Sequence, residues 1–410
     1  MIVNIYSIFG VIIGVYISTY VIWPDLLKVC IYFGICYGII KYFCSNWKKN
    51  SFFLTVFIIF SLYTIVNGLV FFETEKRFLY GIYQYVFYVM SIFFFIQLYK
   101  RTSLRYIYMC VMAIGIINSI IAIYDFLSGD FLLLHILPSI QGDMIFQANV
   151  GDSSVVRSIG LQGSPLTLGV MCGIFAIVSY HVFILSKKNY ALIIFILHTA
   201  GMICSYSRNS WFSFTLAFIF YNIFMFIYCK KNGYDVVMKR IVKSILFTIA
   251  MCAIYIMFNT DSVFINRIIS MGDLTGELGE PSNALRYVLW LNIIDIILDS
   301  IENFVFGIGI AVTGNSPDAI MVPESGFLKR FVEGGLLMLV LYYTMILHCF
   351  YIVLSNIKTG VSPKSILCLS IAYLVLVDDL GLQITEQVNF SFMLWGALGY
   401  VVYEHDIKNG

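Results

Sequence analysis

Charge is what this chain has least of. Asp, Glu, Lys and Arg make up 12% of its 410 residues, against about 25% in an ordinary soluble domain. That leaves too little polar surface to cover a body surrounded by water. No basic cluster rises above loop content, and the net charge is +2, so nothing points to nucleic acid. There is no CxxC among the ten cysteines. They lie in or beside apolar runs, as Cys36, Cys110, Cys172, Cys252 and Cys368 do, and read as small core residues, not as a disulfide framework or a metal site. The five histidines, at 135, 181, 198, 348 and 405, include no pair at metal-ligand spacing. His198 falls mid-span, where a packed, hydrogen-bonded imidazole is the usual case. No glycine-rich phosphate loop, nucleophile elbow or zinc-protease motif occurs, and no internal repeat. The N-terminal apolar run lacks a basic leader and a small-residue cleavage site, so it is expected to be a first span.

What is present is apolar. Hydrophobic residues make up 60% and aromatics 17%, and the mean hydropathy is +0.89. Apolar runs of about 20 residues, the helical span of a bilayer core, recur throughout. They do not alternate in polarity as the strands of a membrane barrel must. The expected fold is therefore all-α, a polytopic membrane bundle of about twelve helices. The spans fall near 2–23, 26–44, 51–72, 78–98, 106–127, 164–186, 190–207, 209–229, 242–258, 334–354, 365–383 and 388–404. Two connections are long, 128–163 and 259–333. Sixteen of the 25 lysines and arginines, among them Lys48, Lys49, Lys100, Arg101, Lys187, Lys188, Lys230 and Lys231, fall on the even-numbered connections or the C-terminus. The positive-inside tendency then puts both termini in the cytoplasm and both long loops outside. Chemistry belongs at the outer leaflet, away from ATP and nucleotide sugars.

Few cations are expected on that outer side. Arg157 precedes the sixth span in Arg157-Ser158-Ile159-Gly160-Leu161-Gln162-Gly163-Ser164-Pro165. Arg208 sits in a hairpin of almost no length, Ser205-Tyr206-Ser207-Arg208-Asn209-Ser210. Arg286 lies in 284–304, which reads as an amphipathic helix on the membrane surface. There Asp295, Asp299 and Glu302 share one face, and Arg286, Trp290, Ile293 and Ile297 the other. A guanidinium is shaped for bidentate phosphate binding, so Arg157, Arg208 and Arg286 together would make a diphosphate site without a metal; the alternative for each is to snorkel to lipid headgroups. Arg267 is assigned to the headgroups. Glu324, in Pro323-Glu324-Ser325-Gly326-Phe327-Leu328-Lys329-Arg330-Phe331-Val332-Glu333-Gly334-Gly335, is a candidate general base if burial raises its pKa; a solvated loop carboxylate is the alternative. Asp378 and Asp379, with Glu386 just outside, are either a cation, proton or sugar-hydroxyl site or an interfacial helix end.

Three of these segments resemble the superfamily of bacterial O-antigen polymerases and ligases. They are Arg157 through Ser164-Pro165, where the family often has Asn-Pro; Ser205 through Arg208; and Arg286 through Trp290, followed by Phe306-Gly307-Ile308-Gly309, Glu324 through Leu328 and Glu333 through Leu336. Arg157 and Gly173 also keep an Arg-x15-Gly spacing, whereas Glu302 stands at that distance from Arg286. The resemblance covers about 155–345. It implies a metal-independent, cofactor-free glycosyltransferase in the bacterial inner membrane, acting on a polyprenyl-diphosphate-linked oligosaccharide, with Arg157, Arg208 and Arg286 on the diphosphate. The ligase branch commonly has a histidine near Glu324 or Ser325, and none stands here, so a polymerase of O-antigen or capsular polysaccharide is expected. A glycan ligase, a lipid-linked oligosaccharide flippase and a scaffold are the alternatives. Membrane lipid and a separate chain-length regulator are the expected partners.

Overall fold

The computed structural model describes residues 5–46, 51–137, 147–150, 153–258, 281–316, 318–357 and 361–409. Its helices are α1 (Ile5–Ser18), α2 (Asp25–Asn46), α3 (Ser51–Val70), α4 (Glu75–Ile82), α5 (Tyr88–Tyr99), α6 (Leu104–Ser128), α7 (Leu132–Ile136), α8 (Pro165–Ser186), α9 (Asn189–Cys204), α10 (Arg208–Asn232), α11 (Asp235–Phe258), α12 (Pro281–Leu298), α13 (Ile301–Phe306), α14 (Gly326–Asn356), α15 (Pro363–Gly381) and α16 (Val388–Asn409). A π-helical turn, Tyr83–Phe87, joins α4 to α5, so Glu75–Tyr99 runs as one span. Among the described residues, seven helices are long and apolar enough to cross a membrane. Large apolar side chains lie on the outside of these helices: Phe33 is 72% exposed, Leu69 57% and Leu347 63%. Such a surface is stable only where the solvent is lipid. The chain is an all-α polytopic membrane protein.

A helix lies over each of the twelve expected spans. Three details differ from expectation. The first long connection is not bare loop: it holds α7 and an antiparallel hairpin, β1 (Gln147–Val150) with β2 (Ser153–Val156), in which Gln147 pairs with Val156. The amphipathic segment 284–304 is not continuous. It breaks after Leu298, and Ser300 restarts α13 by accepting the Asn303 N–H at 3.0 Å, because a serine hydroxyl competes well for a helix N-terminal amide. Finally, α14 begins at Gly326, eight residues before the expected span.

By internal packing the chain divides into two compact units, residues 1–108 with 288–410, and residues 109–287. In the first, α5 packs on α2 and α16, α16 on α15, and α14 on α3 and α13. In the second, α8 is the central helix, with α9 and α10 against it and 83% of its apolar window buried.

The early start of α14 is explained by a break inside it. Gly335 has φ 64° and ψ −168°, at the point where the expected span begins. The carbonyls of Val332 and Glu333 accept from the N–H groups of Ile308 and Gly309 at 2.9 and 3.0 Å, and the Gly334 carbonyl accepts from Tyr63 Oη at 2.7 Å. Each carbonyl at the break is thus paired, as a low-dielectric setting demands. Two of the segments singled out in the sequence, Phe306–Gly309 and Glu333–Leu336, meet here backbone to backbone. The approach needs glycine on both sides: a Cβ on Gly307 would meet the Glu333 backbone at 2.5 Å, and one on Gly335 would meet the Val305 carbonyl. Gly335→Ala combines a left-handed backbone with that clash, so a loss of about 2–5 kcal/mol is expected. The check is the unfolding midpoint and yield of the solubilised variant.

Candidate functional site

Arg157 and Arg208 belong to the second unit, and its local chemistry brings them to one turn. On α6, Asn118, Ala122 and Asp125 form a stripe at i, i+4 and i+7 that grips the segment after β2. The Ala122 carbonyl accepts from Ser158 Oγ at 2.6 Å, an Asp125 carboxylate oxygen from the Gly160 N–H at 2.9 Å, and Asn118 Oδ1 from the Leu161 N–H at 2.8 Å. Gly160 has φ +52°, and a Cβ there would meet Asn118 Oδ1 at 2.7 Å, so this position takes glycine. Ser164 then caps α8, accepting from the Leu166 N–H at 3.3 Å, with Pro165 in the first helical turn. Serine before proline therefore supplies the cap and the preset φ that start a helix.

The Ser205–Ser210 turn is equally tied. Ser205 Oγ donates to the Met202 carbonyl at 2.6 Å, the Ser207 N–H donates to Ser205 Oγ at 3.2 Å, Ser207 Oγ and Ser210 Oγ lie 2.8 Å apart, and Trp211 Nε1 donates to Met202 at 3.2 Å. Tyr206 has φ +49° and stacks on Phe126 at 5.8 Å. A bulky residue held left-handed is strain that the surrounding bonds maintain, and such residues concentrate at functional sites. Onto this turn comes Arg157: its Nε donates to the Ser205 carbonyl at 3.2 Å, and the Ser158 N–H donates to Cys204 at 3.0 Å. Arg208, three residues on, is the first residue of the 25-residue α10. Both arginines are half-buried. Two guanidinium groups and the positive end of a long helix dipole thus belong to one turn, an arrangement that favours an anion.

Arg286 is half-buried in α12, and Trp290, one turn further on the same face, donates its indole N–H to the Pro323 carbonyl at 3.1 Å. Ile293 and Ile297, 1% and 2% exposed, pack with Val332, Leu328 and Phe331, while Asp295 and Asp299 face outward. The apolar and acidic faces of this helix are those the periodicity predicts. Glu324, next to Pro323, is half-buried with φ +48°, and Ser325 caps α14 through the Leu328 N–H at 3.4 Å. Glu324 is thus held in a strained turn that an indole anchors. The structure brings Arg157 and Arg208 together; it gives Arg286 and Glu324 each its own support. Arg267 lies outside the described residues. His198 is a core residue, fully buried, with Nδ1 3.0 Å from Ser119 Oγ.

Sequence reasoning missed a buried ion network in the first unit. Lys329 pairs with Glu386 at 2.7 Å and with Glu333 at 3.4 Å; Arg330 pairs with Asp379 at 2.7 Å. Glu333 also accepts from Tyr85 Oη at 2.5 Å and from Thr313 Oγ1 at 2.7 Å. Glu386 accepts from Asn315 Nδ2 at 2.7 Å, and Asp379 from the Thr385 N–H and hydroxyl at 3.0 and 2.8 Å. Arg330 lies over the Tyr342 ring at 4.3 Å. Gly314 (φ +83°) and Gly326 admit this network, since a Cβ on either would strike Glu386 or Asp379. Asp379 does stand in the last turn of its helix, but it is buried, not interfacial, and is the partner of Arg330. The signal available in the sequence was the combination of Lys329, Arg330 and Glu333 at the start of an apolar helix with two aspartates at the end of another, five ionisable groups that membrane burial tolerates only in pairs. Among the described residues no group of three or more His, Cys, Asp or Glu stands together as a metal site.

Residues 191–343 match the model of a family described as O-antigen ligase. No curated protein matches the chain. The matched segment runs from α9 into α14 and includes Arg208, Arg286, Glu324 and the Lys329–Glu333 end of the ion network; Arg157 precedes it. The match is confined to residues 191–343 of this polytopic membrane protein and is consistent with the O-antigen polymerase and ligase superfamily that its sequence segments resemble.

Proposed function

We propose that this protein is a polymerase of O-antigen or capsular glycan. It transfers the growing glycan from its polyprenyl-diphosphate carrier to the next lipid-linked repeat unit, at the outer face of the bacterial cytoplasmic membrane. The observation that carries this is the convergence of Arg157 and Arg208 on one turn at the N-terminus of α10. Cations fixed before the reaction stabilise the negative charge that gathers on a departing diphosphate, and do so without reorganising. In the proposal Arg157, Arg208 and Arg286 hold the diphosphate. Glu324 takes the proton from the acceptor hydroxyl as its oxygen bonds to the anomeric carbon and the carbon–phosphate oxygen bond breaks. The strained backbone at Glu324 and the indole that anchors its turn support a positioned carboxylate.

The absence of histidine from the segment around Glu324 supports polymerase over ligase. The description of the matched family keeps ligase as the second reading. One experiment separates them. The protein, reconstituted in lipid, is given only the polyprenyl-diphosphate-linked repeat unit, and products are separated by size. A ladder spaced by one repeat is the expected outcome. Transfer only after a different lipid acceptor is added would make it a ligase. Movement of the substrate across the bilayer with no covalent product would overturn the enzymatic reading in favour of a transporter.

A further inference from the structure

The transfer chemistry proposed above leaves the buried ion network without a task. Buried ion pairs can often be replaced by well-packed apolar side chains with no loss of stability. What apolar packing cannot supply is a directed acceptor for a backbone N–H. Two carboxylates of the network supply that to the connection between α13 and α14. Glu333 Oε1 accepts from the N–H and the hydroxyl of Thr313 at 2.9 and 2.7 Å. Glu386 Oε1 accepts from the Asn315 N–H at 3.0 Å, and its Oε2 from Asn315 Nδ2 at 2.7 Å. Between them, the Gly314 N–H crosses the connection to the Met321 carbonyl at 2.9 Å. Three successive amides are thus committed, two of them to buried carboxylates.

Lys329 joins the two clamps. Its ammonium donates to the Thr313 carbonyl at 2.8 Å and to Glu386 at 2.7 Å, and lies 3.4 Å from Glu333 Oε1. The three donors of an ammonium are then all in use. Gly314 lets these groups close in, since a Cβ there would strike both Glu386 and Lys329. From the clamps the hold passes to Glu324. The Ile320 N–H donates to the Val312 carbonyl at 2.9 Å, beside the bond from Gly314 to Met321, so residues 320–321 run alongside 312–314. Pro323, two residues beyond Met321, is buried, and its carbonyl takes the Trp290 indole N–H at 3.1 Å. Glu324 follows at φ +48°, a strained conformation that its surroundings must maintain. Ser325 then caps α14, whose first turn returns to Lys329.

We infer that Glu386 is a positioning residue for Glu324, acting from the turn Ile384–Glu386 between α15 and α16 through the clamp at Thr313–Asn315. Its effect on transfer rests on the base assigned to Glu324 above; the clamp itself does not. The experiment uses the full-length protein in lipid discs. It combines transfer kinetics on the polyprenyl-diphosphate-linked repeat unit with hydrogen exchange of the backbone amides. Glu386→Gln keeps the size of the side chain and removes its charge and one acceptor. Exchange at the amides of Thr313, Gly314, Asn315 and Ile320 quickens by about 10–100-fold, and exchange in α8 is unchanged. The kcat falls by about 10–100-fold, with KM within about twofold of the wild type. In a Glu324→Gln background, Glu386→Gln brings no further loss, because it acts through that carboxylate. Asn315→Ala tests the same clamp from its exposed side and leaves Lys329 paired with Glu386. It gives the same pattern in weaker form and stays informative if Glu386→Gln fails to fold. Unchanged exchange, or a loss that adds in full to that of Glu324→Gln, would overturn the inference. Wild-type transfer by Glu324→Gln would overturn the base proposed above, and quickened exchange would then still support the clamp.

Discussion

Arg208→Ala is expected to reduce glycan transfer by about 10²–10³-fold, the loss that follows removal of one preorganised charge-stabilising donor. Arg208 is the first residue of α10, on a turn that Arg157 also engages through the Ser205 carbonyl. Ser205, Ser207 and Trp211 make bonds that close this turn, and the unfolding midpoint, measured alongside, separates a loss of charge from a loss of fold. Arg208→Lys should recover only part of the activity, because an ammonium is a point charge without the bidentate fork. The measurement is the length and yield of the ladder made from the single lipid-linked substrate. Undiminished polymer from Arg208→Ala would mean that the chain serves as a scaffold or that the charge is supplied elsewhere.

The second large effect is on stability. Arg330→Leu leaves the Asp379 carboxylate buried, at 1% exposure, without its cation. Breaking a buried pair from one side costs about 3–5 kcal/mol, most of it the desolvation of the charge left behind. The double variant Arg330→Leu/Asp379→Asn should regain more than half of that loss. The asparagine carries no charge, and its oxygen still accepts from the Thr385 N–H and hydroxyl. Unfolding midpoints of the two variants and the wild type in the same lipid settle the point. Equal losses in the single and double variants would show that the pair contributes through packing over Tyr342 and not through charge.

Much of this protein is legible in its amino-acid sequence. Its helices follow from apolar runs of bilayer length, because a chain in lipid must satisfy its backbone within each segment. The two faces of α12 are readable too, since Asp295 and Ile293 fall on opposite sides by helical period alone. Other features are legible only in part. Glycine pairs such as Gly334-Gly335 and Gly307 with Gly309 are visible as motifs, yet their purpose requires knowing that they face each other. The break between α12 and α13 escapes the periodicity because an acidic stripe through Glu302 continues the period across Ser300, and local capping wins.

What the sequence determined by itself is the class of the molecule and the kinds of chemistry open to it. Composition decides that lipid is the solvent, and the scarcity of charge makes each ionisable side chain informative. What only the tertiary structure decided is which of those side chains are committed to one another. Lys329, Arg330 and Glu333 on α14 read as three charges in a loop, and Asp379 and Glu386 as charges at a helix end; nothing in their spacing pairs residues about fifty apart. The same holds for Arg157, whose place beside the Arg208 turn comes from a grip by Asn118, Ala122 and Asp125 on α6. Helix formation depends on neighbours in sequence, whereas pairing in a low-dielectric interior depends on which distant groups close packing leaves each charge to meet.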